Sequence, residues 1–147
     1  MKIEREKKMN KILIDTMYIE EIFSSEDTPY TDFAQAIDDG KIKGISSVIS
    51  LVELIKNLGM KDIDRMQTTI RELKSSAIIL VDADQRISEI AGELRLRYEI
   101  PTVDSIIAAT GIVEGVKHVL TRDIRHFESI KNKIKIIDIK TALKLSR

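Results

Sequence analysis

The sequence contains no cysteine and only two histidines, His118 and His126. The absence of thiols excludes disulfides, thiolate nucleophiles and cysteine-based zinc sites, and two histidines do not favour a histidine-rich metal site. Aromatic residues make up 4% of the chain, which argues against nucleic-acid recognition dominated by base stacking. No apolar run approaches the ~18 residues that a membrane helix requires.

Charge of one sign is also lacking, since 24 Lys and Arg residues balance 24 Asp and Glu residues among 147. No overall field therefore draws the protein to nucleic acid or membrane, and a polyanion would need a local basic patch. The charged first ten residues, MKIEREKKMN, lack the apolar segment of a signal peptide. We expect a cytoplasmic protein with a charged extension over 1–10 and a single domain over 11–147.

Short apolar runs alternate with longer amphipathic segments, as is typical of a parallel sheet covered by helices. The short runs are rich in Ile and Val and do not alternate in polarity, which indicates strands buried on both faces. Segment 84–98 has a helical apolar stripe, whereas 26–32, with Pro29 at its centre, is predicted to be a loop. The predicted strands are 11–15, 43–47, 77–81, 118–121 and 134–137.

Acidic residues mark the ends of two predicted strands. Asp15 closes the first strand and Asp123 follows the fourth, while Asp104 begins a helix and Glu53 lies on the polar stripe of another. Each acid alone could be a helix cap or part of a solvated face. Because the carboxyl ends of parallel strands share one edge of a sheet, we expect these acids to converge there.

Converging carboxylates raise one another's pKa, and a divalent cation reverses that penalty. A ligand set made of oxygen atoms, without Cys or His, points to Mg²⁺ or Mn²⁺ rather than zinc. Such a site can activate water and neutralise charge on a phosphoryl group. The chemistry that the acids imply is phosphodiester hydrolysis.

Four segments of the chain read, in order, ILIDT, SSVISLVEL, TVDSIIAATG and VLTRDIRHFESI. Together they resemble the PIN-domain ribonucleases, and most closely the VapC-type toxins of toxin–antitoxin pairs. The most specific part is a D-x-x-I-A-A helix followed by a strand that ends in T-x-D, with Phe127 four residues after that Asp. The resemblance extends over roughly residues 11–137.

This resemblance implies an α/β fold, namely a PIN-like three-layer α/β/α arrangement with a five-stranded parallel sheet. It implies a metal-dependent endoribonuclease with Mg²⁺ or Mn²⁺ in an acidic pocket, whose products carry 5′-phosphate and 3′-hydroxyl ends. One departure is Met17, where many members have Asn or Ser. By position, the residues of the pocket would be the metal-facing Asp15, Asp104 and Asp123, with Glu53 acting directly or through water, and the hydroxyl residue Thr121.

The resemblance also implies partners, namely RNA, a small VapB-type antitoxin that covers the acidic groove, and a second copy in a homodimer. Thr16, Arg122 and Arg125 are the candidate substrate contacts, because they adjoin the first and last acids. His126 is interpreted as a packed or surface residue rather than a catalyst. The apolar residues that could form a partner surface, or alternatively belong to the core, are Ile19, Ile22, Phe23, Phe33 and Ile37.

Two other functions remain open at this point. A receiver domain of two-component signalling would be phosphorylated on Asp82 and would use Asp15, Thr121 and Lys140, but it requires an acidic pair after the first strand. It would also leave two of the four acids without a role. The third interpretation keeps the PIN fold as a non-catalytic RNA-binding module.

Overall fold

A computed structural model of the chain describes residues 9–147. The predicted extension over 1–10 lies outside these residues except for Met9 and Asn10, and Asn10 already pairs with Ile42 in the sheet. The strands are β1 (Asn10–Ile14), β2 (Ile42–Ser47), β3 (Ile79–Val81), β4 (His118–Leu120) and β5 (Lys135–Ile137).

Helices fill the segments between these strands and follow the last one. The helices are α1 (Thr16–Ser24), α2 (Thr28–Asp38), α3 (Ile49–Gly59), α4 (Ile63–Ser75), α5 (Gln85–Arg97), α6 (Thr102–Val113), α7 (Ile124–Glu128) and α8 (Ile139–Lys144). None of the helices in the described part of the chain is long and apolar enough to cross a membrane.

The five strands form one parallel sheet in the order β3-β2-β1-β4-β5. The predicted five-stranded parallel sheet is therefore confirmed. The chain moves outward from β1 to β3 and then returns to the other side of β1 with β4, so the strand order reverses between β1 and β4. A reversal of this kind opens a crevice beyond the carboxyl ends of the two strands. Ile14 pairs with Leu120, so the two strands end at the same level, and the residues that follow them, Asp15 and Thr121, lie side by side.

The strand order excludes the receiver alternative. A receiver has the order 2-1-3-4-5, in which the third strand lies beside the first. Here β2 separates β3 from β1, so Asp82, which follows β3 and is exposed, lies two strands away from Asp15. The two acids that a receiver brings together are therefore kept apart.

Each face of the sheet has its own apolar core, which confirms the three-layer arrangement. Ile12 and Ile14 of β1 point into a core shared with α1 to α4 and α8, whereas Leu13 points into a core shared with α5, α6 and α7. Helix α6 lies very close to the sheet at Gly111, where an added Cβ would lie 2.9 Å from side-chain atoms of both Leu13 and Ile134. This close approach sets the depth of α6, and hence the position of Asp104 in its first turn.

The prediction of a loop over 26–32 was wrong, because α2 begins at Thr28 and includes Pro29 in its first turn. Proline is compatible with that position, since the first N–H groups of a helix have no partner within the helix and the fixed φ of proline already suits it. The helix is held in place by a buried stripe that includes Phe33, Ala36 and Ile37. Burial of this stripe, rather than a turn signal, determines the local structure.

Most of the apolar residues proposed for a partner surface belong to the core instead. Ile19 and Phe33 are fully buried, and Ile22 and Ile37 are 6% and 4% exposed. Phe23 is half-buried and packs against the same core. Of the two roles that the sequence allowed, the structure therefore assigns these side chains to the interior of the domain.

Candidate active site at the reversal of strand order

Asp15 lies directly after β1 and caps helix α1. Its backbone N–H donates to the carbonyl of Leu120 at 3.0 Å, and its Oδ1 accepts a hydrogen bond from the backbone N–H of Thr16 at 2.8 Å. Its other oxygen, Oδ2, accepts from the hydroxyl of Thr121 at 2.6 Å. The residue is 4% exposed. Asp15 therefore performs the ordinary capping role and is also fixed against the end of β4.

The hydroxyl of Thr121 connects the ends of β1 and β4. Besides donating to Asp15, its Oγ accepts a hydrogen bond from the backbone N–H of Asp123 at 2.9 Å. Asp123 occupies the N-cap position of α7, yet its side chain makes no capping hydrogen bond. Its carboxylate is therefore not used to stabilise the helix, which weakens the interpretation of Asp123 as a simple cap.

Asp104 enters the same region from the first turn of α6 and is 6% exposed. A hydrogen bond of 2.5 Å joins its Oδ2 to Nδ1 of His126. Asp104, Asp123 and His126 each contribute a potential ligand atom, and these three atoms lie within 4.8 Å of one another. Two of the predicted acids and one unpredicted histidine thus meet at one point.

The sequence interpretation missed the contact made by His126. His126 lies three residues after Asp123 in α7, and residues three apart share one side of a helix. That spacing was the available signal. The partner acid, Asp104, is 22 residues away in the sequence, and only the packing of α6 beside α7 brings it within reach.

Glu53 joins the site through the side chain of Thr16. The Thr16 hydroxyl donates to Glu53 Oε1 at 2.7 Å and lies 2.9 Å from Ser50 Oγ. Thr16 is 5% exposed, so it connects α1 to α3 rather than presenting itself to a large substrate. Glu53 is half-buried, and its negative charge acts on Asp15.

Burial and mutual repulsion raise the pKa values of the two most buried acids, Asp15 and Asp104. The pKa of Asp104 is raised to about 6, mainly by burial and also by the charges of Asp123 and Asp15, while the contact with His126 lowers it. Burial also raises the pKa of Asp15, with further contributions from Asp123 and Glu53, against the hydrogen bonds from Thr121 and Thr16. The four acids therefore influence one another in a single electrostatic environment.

The chemistry of these residues fits a divalent cation. Carboxylate oxygens are the preferred ligands of Mg²⁺ and Mn²⁺, and a cation would remove the repulsion that raises the pKa values of Asp15 and Asp104. Ligands of an octahedral ion at ~2.1 Å lie about 3 Å apart or more. The 2.5 Å contact of His126 is shorter, so His126 suits the role of a hydrogen-bond donor that orients Asp104.

Arg122 and Arg125 differ in their surroundings. Arg122 donates to Glu21 Oε1 at 3.3 Å and to the hydroxyl of Tyr30 at 3.2 Å, and its guanidinium lies 5.4 Å from the centre of the Tyr18 ring. It is thereby held against α1 and α2. Arg125 is exposed and has no ion pair among residues 9–147. Of these two arginines, Arg125 is the one available to a phosphate.

Replacing Thr121 by Val is expected to destabilise the protein by about 1–3 kcal/mol, because the buried Oδ2 of Asp15 and the half-buried N–H of Asp123 lose their partner. Valine keeps the shape of the side chain, whereas a Thr121→Ser control keeps the hydroxyl. Urea unfolding at pH 7 measures the difference. Equal stability of the Val and Ser variants would show that the hydroxyl does not join the two strand ends.

A comparison with protein-family models identifies the family of the chain. The model described as PIN domain matches residues 12–133. The chain belongs to the PIN domain family. The matched region contains Asp15, Glu53, Asp104, Thr121 and Asp123, and PIN domains are nucleases that use divalent metal ions. The family resemblance read from the sequence is confirmed.

Solved structures share the fold of this PIN domain. A chain in the structure of VapBC2 from Rickettsia felis, bound to a DNA fragment from their promoter, is 21% identical with a TM-score of 0.71, and the match covers 87% of this chain and 98% of that one. A chain of DNA-bound VapBC from Salmonella typhimurium is 21% identical with a TM-score of 0.69, and the match covers 90% of this chain and 99% of that one. A chain of a toxin–antitoxin complex from Klebsiella pneumoniae is 22% identical with a TM-score of 0.66, and the match covers 88% of this chain and 98% of that one. A comparison with curated proteins found no significant match.

Proposed function

We propose that this PIN domain is a metal-dependent endoribonuclease and the toxin of a VapBC-type toxin–antitoxin pair. The observation that carries the proposal is the crowding of buried acids where the strand order reverses. Asp15 and Asp104 are almost fully buried, and their raised pKa values reflect burial together with the charges of neighbouring acids. A fold does not retain such an arrangement for stability alone, because it is unfavourable without a cation.

The catalytic residues in this proposal are Asp15, Glu53, Asp104 and Asp123, with Thr121 as their support. Mg²⁺ or Mn²⁺, when bound, would supply activation of water and neutralisation of charge on the phosphoryl group. Asp104 and Asp123 would hold the ion, whereas Asp15 and Glu53, which do not belong to this cluster of potential ligand atoms, would contribute their charge from the end of β1 and from α3. His126 keeps the carboxylate of Asp104 in one orientation, as partners of metal ligands commonly do.

The non-catalytic alternative is less well supported than catalysis. A domain that only bound RNA would have no use for uncompensated acids beside its phosphate path, since they repel the backbone. The carboxylate of Asp123 is also not used as a helix cap. Both features favour a site that performs chemistry.

The proposed partner is a small VapB-type antitoxin, because the similar chains come from VapBC complexes. Exposed apolar side chains on α3 and at its junction with α4 give a surface for this antitoxin, or for a second copy in a homodimer. Val52 and Ile55 project from α3, and Met60 and Ile63 follow at its junction with α4. A toxin that cleaves cellular RNA acts in the cytoplasm, where we place the protein.

RNA cleavage in the presence of defined cations tests the function. The purified protein is expected to cleave total RNA with Mn²⁺ or Mg²⁺, to stop when a chelator is added, and to resume when excess Mn²⁺ is restored. Gel electrophoresis of end-labelled RNA follows the products. Cleavage that continues in the chelator would contradict metal dependence, and intact RNA under all conditions would contradict the nuclease assignment.

A further inference from the structure

A groove adjoins the acids on the side away from α1 and α2. It lies between the end of α5, with the turn that follows, and helix α7, and its volume is about 660 Å³. This falls within the ~300–1,000 Å³ of typical ligand sites. The residues that line it include Arg95, Tyr98, Glu99, Arg125 and His126, and we call it the Arg95 groove.

The Arg95 groove is continuous with the candidate active site because His126 belongs to both. One nitrogen of His126 contacts Asp104, and the same residue lines the groove. A chain held in the groove therefore runs past the acids. The opposite flank differs, since Arg122 there is already engaged by Glu21 and Tyr30.

Two guanidinium groups line the groove. Neither Arg95 nor Arg125 forms an ion pair among residues 9–147. The Nε of Arg95 donates to the carbonyl of Ile100 at 3.2 Å, which anchors the side chain at the groove while its charge stays uncompensated. The one acid on the lining, Glu99, is exposed. Two cations against one acid favour an anionic ligand such as a phosphodiester.

An aromatic ring accompanies these charges. Tyr98 is half-buried, and its ring packs against the core that α5 and α6 share. A ring fixed by packing on one side can stack on a base with the other, and such stacking tolerates any base. Arginines for the backbone and a ring for the base are the combination that single-stranded nucleic acid requires.

We infer that the Arg95 groove binds the RNA nucleotide that flanks the scissile phosphodiester, with Arg95 and Arg125 on the phosphate and Tyr98 on the base. This inference rests on the proposed nuclease function and adds the path of the substrate. Binding to the groove should contribute mainly to KM, because none of the three side chains reaches the acids.

Equilibrium binding of RNA separates the roles of these residues. The probe is a fluorescein-labelled single-stranded RNA of about 12 nucleotides, and the protein carries Asp104→Asn so that the RNA stays intact. Arg95→Ala and Arg125→Ala should each weaken binding about 3–10-fold and lower the slope of log Kd against log salt by about 0.7. Tyr98→Leu, which keeps apolar packing, should weaken binding about 5–100-fold without changing the slope. Glu99→Gln should tighten binding.

Arg97→Ala is the matched control, because Arg97 lies on the same helix, is exposed and does not line the groove. It should leave affinity and slope unchanged. Unchanged RNA binding in the Arg95, Tyr98 and Arg125 variants would overturn the inference. This holds also if the variants bind RNA normally but no longer bind an acidic protein partner. Metal-dependent cleavage by the wild-type protein would then still stand, whereas failure of the nuclease proposal would appear as intact RNA with the wild-type protein and Mn²⁺.

Discussion

The Asp104→Asn variant is expected to lose metal-dependent RNA cleavage by about 10²–10³-fold or more while remaining folded. Asparagine keeps the shape of the side chain, and its carbonyl oxygen can still accept the hydrogen bond from His126. It removes the negative charge at the point where the side chains of Asp104, Asp123 and His126 meet. End-labelled RNA with Mn²⁺ gives the rate, and circular dichroism verifies the fold.

Asp62→Asn is the matched control for this variant. Asp62 caps α4 by accepting a hydrogen bond from the backbone N–H of Arg65, and it is exposed. Asparagine caps helices as well as aspartate does, so the control should retain wild-type activity. An Asp104→Asn protein with at least half of the wild-type rate would remove Asp104 from the catalytic set.

The same variant is expected to be more stable than wild type when no metal is present, by about 1–3 kcal/mol at pH 7.5. The pKa of Asp104 is raised from 3.8 to about 6 in the folded protein, so the folded state binds this proton more tightly than the unfolded state does. Tighter binding of the proton by Asp104 stabilises the folded wild-type protein below about pH 4, and this contribution is lost as the pH rises through about 6. Asparagine mimics the uncharged form at every pH.

The stability difference between variant and wild type should therefore grow between about pH 4 and pH 7 and stay constant above that. Thermal melts in chelator at half-unit pH intervals measure it, and each 1 kcal/mol corresponds to about 2–4 °C for a domain of this size. A variant that melts below wild type at pH 7.5 would mean that the ionised carboxylate of Asp104 stabilises the fold, contrary to the repulsion inferred here.

Local patterns predicted most of the elements, because burial on both faces leaves a direct mark on a strand. Runs such as that of Ile12, Leu13 and Ile14 are apolar without alternation since both sides of the sheet are covered. The edge strands are less buried, and Ile79 of β3 is 42% exposed. The order of the strands leaves no such mark, so the reversal between β1 and β4 emerged only from the structure.

The acids of the site were predictable for a related reason. Asp15 follows β1 directly and Asp123 comes shortly after β4, at the start of α7, and the carboxyl ends of parallel strands share one edge of the sheet. The helix-cap and site interpretations of Asp15 also proved compatible, since one of its oxygens caps α1 while the other contacts Thr121. Competing explanations of one residue can thus both hold.

Contacts between distant elements were not predictable from local patterns. The pairing of His126 with Asp104 requires α6 and α7 to lie together, and the attachment of Arg122 to Tyr30 joins residues 92 positions apart. Helix α2 was missed for a different reason, because Pro29 was interpreted as a turn signal although the first turn of a helix accepts it. The Arg95 groove likewise depends on packing between segments that carry no motif.

Calorimetric titration of Mn²⁺ into the metal-free protein at pH 7.5 tests most directly whether the acids form a cation site. Wild type should show saturable binding that Asp62→Asn leaves unchanged, and Asp104→Asn or Asp123→Asn should weaken it by more than about tenfold. Saturable binding of equal strength in wild type and in both site variants would contradict the account, because the ion would then be held by residues other than Asp104 and Asp123.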